Sequence, residues 1–174
     1  SGSMIEMVVI PEGKRRTLCV SSQAGCALQC TFCATGTQGF DQNLESHEII
    51  GQLWLANFSE KSNKPITNVV FMGMGEPLLN FDNVIEATKI IKDQNAYGLS
   101  RKRITISTSG IFPNIKELNK HVDVSLAISL HAANDDLRDK IVPINKKYPI
   151  KMLLSSCIDF LADHDSKRHI TIEY

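Results

Sequence analysis

The chain has 174 residues, of which 43% are hydrophobic and 22% charged, so it is long enough for one domain with a buried core and ordinary in composition for a globular protein. Lysine and arginine together number 19, as do aspartate and glutamate, so the net charge does not point to a nucleic-acid partner. No apolar run approaches the ~20 residues that cross a bilayer, so we expect no membrane partner.

The N-terminus carries Ser1-Gly2-Ser3 ahead of Met4, a pattern typical of an expression remnant. We therefore expect the domain to comprise residues 4–174. No signal peptide is visible, and closely spaced free cysteines favour a reducing compartment, so a cytoplasmic location is predicted.

Two short strands are predicted at the start of the domain. Residues 4–10 are rich in β-branched residues and end at the turn signal Pro11-Glu12-Gly13. Glu6 lies in this segment and is interpreted either as a surface residue of an edge strand or as a placed proton acceptor. Residues 17–21, which include Cys19, form the second predicted strand.

A cysteine-rich loop follows these strands. Cys26, Cys30 and Cys33 have the spacing Cys-x3-Cys-x2-Cys. Three thiolates on one loop can hold a 4Fe–4S cluster and leave one iron without a protein ligand, open to a small molecule. The ring of Phe32 is placed to shield such a cluster from water.

The alternative for the cysteine loop is a zinc site whose fourth ligand is His47, His131 or Cys157. Zinc sites usually contain two separated pairs of Cys or His ligands, and the sequence has no second pair. A disulfide is disfavoured, because three neighbouring cysteines cannot all pair and nothing indicates secretion. The pattern favours the iron–sulfur cluster and leaves zinc as the alternative.

The rest of the chain alternates between predicted helices and strands. Strands are predicted at residues 68–72, 104–107, 124–129 and 169–174. Five helices are predicted. The first has a Ser46 cap and the apolar stripe Ile49, Ile50, Leu53, Trp54 and Phe58, and the second begins at Asn80 or Asp82 and ends near Gly98; the third begins at Pro113 with Ile115, Leu118 and Val122 inward, and the fourth runs from an Asn134 cap to Pro143. The fifth follows Pro149 and has the apolar stripe Ile150, Leu153, Leu154, Cys157, Ile158 and Leu161. Cys157 is therefore interpreted as a core residue.

The alternation predicts right-handed βαβ units and a parallel α/β sheet. Polar or glycine-rich stretches follow four of the strands: the cysteine loop, residues 73–77, residues 107–110 and residues 129–131. Active sites of parallel α/β sheets and barrels lie at the carboxyl ends of the strands. The stretches are thus expected to form one cofactor site, which a structural zinc would not require.

Several motifs together carry a family resemblance. Beside the cysteine motif with Phe32, the chain contains Gly75-Glu76-Pro77. These features resemble the radical S-adenosylmethionine (SAM) enzymes. The flanking stretches at residues 18–23, 72–80, 107–110, 127–132 and 141–148 are similar, more narrowly, to the RlmN/Cfr family of RNA methyltransferases. The resemblance covers nearly all of residues 5–174.

The resemblance implies a partial (β/α)6 barrel of the radical SAM type, truncated after about five parallel strands. Residues 4–174 would be the core domain of a longer protein. The family's N-terminal RNA-binding domain, its last barrel strand and its methyl-carrying cysteine would lie outside this chain. The chain alone is therefore expected to be inactive in complete turnover. Gln42 departs from the family pattern, in which a basic residue is expected.

The resemblance also assigns roles in the cofactor site. Cys26, Cys30 and Cys33 would bind three irons of the 4Fe–4S cluster, and the fourth iron would chelate SAM. Further SAM contacts would come from the strand-end loops: Gly75 and Glu76 at the methionyl amino end, with Ser107, Ser129, Leu130 and His131 lining the pocket. For each serine or histidine taken alone, ordinary hydrogen bonding at a strand end is the favoured explanation, but their position at one shared sheet edge favours the cofactor site.

The implied reaction uses two SAM molecules. The first methylates a protein cysteine. The second yields a radical that takes a hydrogen from the S-methyl group, and the resulting carbon radical adds to the adenine ring. Cys19 matches the resolving cysteine and Glu6 the proton acceptor of the family. The implied substrate is carbon 2 of an adenosine in 23S rRNA, together with a tRNA anticodon-loop adenosine, and the implied partners include an electron donor such as flavodoxin for a monomeric enzyme.

Two alternatives to this function stay open. The stretch from Pro77 through Leu78-Leu79-Asn80 is more similar to RlmN than to Cfr, which methylates carbon 8. A Cfr-type or other radical SAM enzyme is the first alternative, and a zinc-stabilised RNA-binding module without catalysis is the second.

Overall fold

The computed structural model describes residues 2–58, 64–162 and 168–174. The strands are β1 (Val8–Glu12), β2 (Arg15–Cys19), β3 (Gln23–Gly25), β4 (Phe40–Asn43), β5 (Asn68–Phe71), β6 (Ile104–Thr108), β7 (Ser125–Ser129) and β8 (Thr171–Glu173). The α-helices are α1 (Ala34–Gln38), α2 (Ser46–Phe58), α3 (Phe81–Lys92), α4 (Phe112–His121), α5 (Asp135–Ile141) and α6 (Ile150–Ala162). None of the described helices is long and apolar enough to span a membrane.

One mostly parallel sheet organises the fold. Its order is β1-β2-β5-β6-β7-β8, and the pairs from β2 to β8 are all parallel, which gives five parallel strands. The short β3 and β4 form a separate antiparallel hairpin. The predicted α/β class and partial barrel are confirmed, because each parallel step is made through a helical connection.

The first strand differs from its prediction. It begins at Val8 rather than at residue 4 and continues through Pro11 to Glu12, while the turn falls at Gly13, whose φ is 57°. A proline is tolerated there because β1 is an edge strand that pairs only with β2. Glu6 therefore precedes the strand. The antiparallel pairing of Val8 with Cys19 brings the start of β1 to the end of β2.

The core lies between one face of the sheet and the helices. Alternate strand residues turn to this face and are fully buried, among them Leu18, Phe71, Ile106 and Ile128. The helices contribute apolar side chains to the same cluster, such as Leu53, Val84, Ile115 and Leu153. Since the opposite face of the sheet carries small and polar residues, the interior of the partial barrel is the polar side of the sheet.

The helix faces were predicted only in part. Val84, Ala87 and Ile91 of α3 are buried as predicted, although this helix ends at Lys92 rather than near Gly98. On α2, Trp54 and Phe58 are 53% and 68% exposed, contrary to the predicted inward stripe. The buried Gln52 takes the inward position, because its amide group exchanges hydrogen bonds of 2.8 and 2.9 Å with the backbone of residue 21.

The ends and faces of two other helices also answer specific predictions. The Asn134 side chain caps α5 as predicted, accepting a hydrogen bond of 2.9 Å from the Leu137 N–H. Cys157 on α6 is buried, which confirms its core assignment. Leu154 and Ile158 of the same predicted stripe are exposed, because Ser156 and Phe160 face the core instead.

The start of α2 differs in its cap. The helix begins at Ser46, which is therefore not the residue before the first turn. The Glu48 carboxylate accepts a hydrogen bond of 2.9 Å from the N–H of Glu45, so the polar closure of this helix end comes from glutamate.

Candidate active site

A cavity of about 250 Å3 lies at the carboxyl ends of the parallel strands. Its walls include most of the residues predicted for the cofactor site: Cys26, Cys30, Cys33, Gly75, Glu76, Ser107, Ser129 and His131. The partly exposed Phe32 and Met72 also line it, so the cavity opens to the surface. The four separate sequence stretches therefore converge, as the position of active sites in parallel sheets predicts.

The cysteine loop is held by backbone hydrogen bonds from several directions. The Cys26 N–H donates to the Gly39 carbonyl at 2.8 Å, and the Thr31 N–H donates to the carbonyl of Ile141 at 3.1 Å. At Gly36 an added Cβ would lie 3.0 Å from the Cys30 carbonyl oxygen, so α1 packs closely on the loop. Glycine is required there for this approach, and the loop is anchored both to α1 and to the end of α5.

Two of the three thiols, those of Cys26 and Cys30, are less acidic than a free cysteine. Burial raises the pKa of Cys26 and raises that of Cys30 to about 11, with the negative charges of the neighbouring cysteines adding to the effect. The backbone N–H groups of Leu28 and Glu76 hydrogen-bond the Cys26 thiol and partly oppose its shift. Cys26 and Cys30 therefore favour the thiol form by themselves, and binding of a metal centre would displace their protons.

The donor set fits an iron–sulfur cluster better than a single ion. Within residues 2–58, 64–162 and 168–174, no three His, Cys, Asp or Glu side chains converge closely enough to hold one metal ion. A 4Fe–4S cluster takes each thiolate on a different iron, so its ligands need not converge on one point. Of the predicted zinc ligands, His131 lines the cavity, whereas His47 is exposed and Cys157 faces the core.

The loop after β5 depends on a glycine and a buried carboxylate. Gly75 has a φ of 95°, and an added Cβ would lie only 2.4 Å from the Cβ of Gln23. The Glu76 carboxylate accepts hydrogen bonds from the N–H groups of Leu78 at 3.1 Å and Ser109 at 2.8 Å. Burial raises its pKa, and these donors oppose that shift. Glu76 therefore ties the loop after β5 to the loop after β6.

A polar row crosses the ends of three adjacent strands. The hydroxyl oxygens of Ser107 and Ser129 lie 3.5 Å apart, and the Ser129 hydroxyl donates to the Glu173 carboxylate at 3.2 Å. Glu173 lines the cavity but was not predicted as a site residue. Its register opposite Ser129 is the signal that would have identified it, since paired residues of neighbouring parallel strands share a face.

The segment after β7 bends sharply at His131, whose φ is 59°. The N–H groups of Leu130 and His131 both donate to the Glu173 carbonyl, at 3.0 and 3.1 Å. The His131 ring packs edge-on against Phe32 with the ring centres 4.6 Å apart, and burial lowers its pKa, so the ring is neutral at pH 7. Leu130 is not among the residues that line the cavity, since its side chain packs against the hydrophobic core.

The two predicted catalytic residues lie at the same edge of the sheet but outside the cavity lining. Cys19 ends β2 and is half-buried; burial raises its pKa, and the Glu173 carboxylate adds to the shift. The Glu6 side chain is exposed, while its carbonyl accepts a hydrogen bond of 2.6 Å from the Ser21 hydroxyl. The structure thus places both residues near the cavity edge without bringing them into contact with it.

Besides Glu173, two further residues near the cavity were given no individual role by the sequence analysis. Ser109 joins three partners: its N–H donates to Glu76, its side chain hydrogen-bonds the Cys30 thiol, and its carbonyl accepts from Arg138 at 2.7 Å. Arg138 is fully buried on α5. A long cationic side chain on a predicted surface helix gives no sequence signal for such a position.

Comparisons with known proteins agree with this site. Residues 20–157 match the model of the Radical SAM superfamily. The chain is 62% identical to the dual-specificity RNA methyltransferases RlmN of Pseudomonas putida (strain W619) and Pseudomonas entomophila (strain L48), covering all of this chain and 47% of each relative. The resemblance noted in the sequence is confirmed, and the chain spans about half the length of these relatives.

A solved structure shares the fold. The crystal structure of a radical SAM methyltransferase from Sphaerobacter thermophilus superposes with a TM-score of 0.93 at 40% sequence identity, over 99% of this chain and 51% of that one. The family match extends over well more than half of the residues and includes the cysteine loop and the loops that follow β5, β6 and β7. The chain therefore belongs to the Radical SAM superfamily.

Proposed function

We propose that this chain is the catalytic core of an RNA methyltransferase of the RlmN type, which methylates carbon 2 of an adenosine in 23S rRNA and of a tRNA anticodon-loop adenosine. The observation that carries the proposal is the single cavity that joins three thiols, the Gly-Glu-Pro loop and the strand-end serines. The 62% identity to relatives named as dual-specificity RNA methyltransferases supports RNA as the substrate class.

The cysteine loop would hold the cofactor. Cys26, Cys30 and Cys33 line one wall of the cavity and supply three thiolates, which suits a 4Fe–4S cluster with one iron open to SAM. When bound, the cluster supplies the electron that cleaves SAM. Because burial favours the protonated thiols, cluster assembly would release protons and proceed faster as the pH rises.

The strand-end loops beside the cysteines would bind and orient SAM. Gly75 and Glu76 would receive the methionyl amino group, and the Glu76 carboxylate is already fixed by two backbone donors. Ser107 and Ser129 offer hydroxyls that can donate or accept. His131, whose ring packs edge-on against Phe32, would close the cavity against water.

Cys19 and Glu6 would act after the carbon has been transferred to RNA. The Cys19 thiolate would attack the sulfur of the family's methyl-carrying cysteine, so that the S–S bond forms while the bond from that sulfur to the transferred carbon breaks. The electron pair of the broken bond would stay with the carbon, which takes up a proton and becomes the methyl group of the released adenosine, and Glu6 would accept the proton of the ring. The raised pKa of Cys19 means that this thiol must lose its proton before it attacks. The methyl-carrying cysteine is expected outside these residues, so this chain alone should not complete turnover.

The proposed partners follow from the chemistry. Cleavage of SAM needs one electron per event, which a small flavoprotein of the flavodoxin class can deliver. We expect the enzyme to work as a monomer in the bacterial cytoplasm, where its RNA substrates and reduced thiols are found.

Anaerobic reconstitution of the chain tests the proposal. We expect a brown protein with about four iron and four sulfide per chain, lost in Cys30→Ala and retained in Cys157→Ala, since Cys157 is a core residue. A colourless protein that holds one zinc tightly would instead support the zinc-stabilised RNA-binding module and overturn the enzymatic proposal.

The roles of Cys19 and Glu6 are tested in a protein as long as the complete RlmN relatives. Cys19→Ala should allow SAM cleavage and accumulate a covalent protein–RNA product. Free methylated RNA at the wild-type yield from this variant would contradict the role of Cys19. Glu6→Gln should slow release of the product; an unchanged rate would return Glu6 to the role of a surface charge.

A further inference from the structure

Arg138 is a buried cation that binds the loops around the cavity. Its guanidinium donates to the carbonyls of Ser109 at 2.7 Å, Ser129 at 3.0 Å and Leu130 at 2.8 Å. A fourth hydrogen bond of 2.7 Å goes to the side-chain oxygen of Asn145. One planar side chain therefore fixes the backbone after both β6 and β7, including the peptide that precedes the left-handed His131.

The charge of Arg138 is only indirectly compensated. No carboxylate in the described part of the chain forms an ion pair with it. Asn145 instead connects Arg138 to two carboxylates: its side-chain oxygen accepts from Arg138, and its side-chain nitrogen donates to Asp135 at 2.8 Å and to Asp139 at 2.7 Å. A fully buried cation is costly unless a negative group lies nearby, so the arrangement favours further negative charge on its other side.

That other side is the cysteine loop. Ser109 accepts from Arg138 through its carbonyl and hydrogen-bonds the Cys30 thiol through its side chain. The same helix also reaches the loop through its last residue, since the Ile141 carbonyl accepts from the N–H of Thr31. Through hydrogen bonds, Ser109 alone thus links Arg138 to Cys30, one of the three proposed cluster ligands.

We propose that Arg138 is a positioning residue of the cavity, and that its buried charge raises the reduction potential of the group held by the three cysteines. The inference rests on the proposed function. A cluster held by three thiolates becomes more negative when it gains an electron, so a fixed positive charge beside it stabilises the reduced form. Helix α5 then has a role in electron uptake besides its role in packing.

Redox titration of the anaerobically reconstituted chain, followed by electron paramagnetic resonance, tests the inference. Arg138→Met should shift the midpoint potential of the cluster to a lower value. Arg138→Lys keeps the charge but not the planar fork, so its potential should stay near that of the wild type. Lys140→Met removes an exposed charge from the same helix and is the matched control, with no shift expected because solvent screens that charge.

A second variant, with an expected shift of the midpoint potential in the opposite direction, tests the inference if Arg138→Met fails to fold. Asp139→Asn removes a negative charge from the relay and keeps an acceptor for Asn145, so it should raise the potential. An unchanged or lower potential in Asp139→Asn would overturn the inference. The same conclusion follows if Arg138→Met equals the control, or if Arg138→Lys falls as far as Arg138→Met.

Failure of the proposed function gives a different result. A wild-type chain that takes up no iron and sulfide would contradict the proposed function itself. A wild-type chain with a full cluster, combined with an unshifted potential in Arg138→Met, would contradict this inference alone.

Discussion

Replacing Gly75 with alanine should destabilise the loop after β5 and, through Gln23, the cysteine loop. The φ of 95° at Gly75 is unfavourable for any residue with a Cβ, and the added atom would lie 2.4 Å from the Gln23 Cβ and 2.8 Å from its backbone nitrogen. A new rotamer cannot move either atom, so the backbone of Gln23 must shift. That shift would stretch the 2.8 Å hydrogen bond from the Glu76 N–H to the Gln23 side chain.

The expected cost follows from three effects. Backbone strain contributes about 1–2 kcal/mol, displacement of a packed neighbour about 1–3 kcal/mol, and a weakened buried hydrogen bond about 1 kcal/mol. Together they should lower the free energy of unfolding by about 3–6 kcal/mol, a large part of the ~5–15 kcal/mol that stabilises a typical domain.

Urea unfolding of the apo chain, followed by circular dichroism, measures this loss, and two other glycines separate its causes. Gly13 also has a positive φ, of 57°, but an added Cβ would meet no atom within 4 Å, so Gly13→Ala should show the strain alone, about 1–2 kcal/mol. Gly51 lies inside α2 with free space around it, so Gly51→Ala should stabilise by about 0.5–1 kcal/mol. Equal losses for the Gly75 and Gly13 variants would refute the role of the Gln23 contact.

Three further substitutions or treatments have defined outcomes. Glu173→Gln should speed the alkylation of Cys19 at pH 8, measured by peptide mass spectrometry. The Glu173 carboxylate helps to raise the pKa of the Cys19 thiol, so its removal should lower that pKa and increase the thiolate fraction. A slower reaction would contradict the closeness of Glu173 to Cys19. Cys157, whose pKa burial raises to about 11, should stay unlabelled at pH 8 in the native chain and react once urea unfolds it; native labelling would show that α6 opens. Asn80→Leu should cost about 2–4 kcal/mol in urea unfolding, because its amide donates to two buried carbonyls at 2.7 and 2.8 Å; a loss under about 1 kcal/mol would mean that those carbonyls find other donors.

The sequence was most informative where one local pattern decides the structure. The apolar runs at β5, β6 and β7 predict strands covered by helices, and each is followed at once by a polar loop. Since parallel strands end at one edge, the convergence of the cysteine loop with Glu76 and Ser129 could be predicted without coordinates. The cap at Asn134 was predictable for the same reason, because its hydrogen bond is local.

The remaining features depend on contacts between distant parts of the chain. Gln52 displaces Trp54 from the buried face of α2 because a backbone loop 31 residues away offers it two hydrogen bonds. Arg138 is buried because three loop carbonyls and an asparagine surround it, which no helical periodicity can indicate. Glu173 enters the site only through the register of β8 beside β7. Polar residues with non-local partners are therefore the ones that the sequence patterns misplace.

The three-way bonding of Ser109 has a consequence for how the cavity responds to change. Its amide, hydroxyl and carbonyl groups serve Glu76, Cys30 and Arg138 respectively, so a displacement imposed by any one partner is felt by the other two. Perturbations at Glu76 and Arg138 should consequently be thermodynamically coupled in a double-mutant cycle, although Glu76 lies on the loop after β5 and Arg138 on α5. The Glu76 carboxylate, the Cys30 thiol and the Arg138 guanidinium would then behave as one cooperative unit that depends on Ser109.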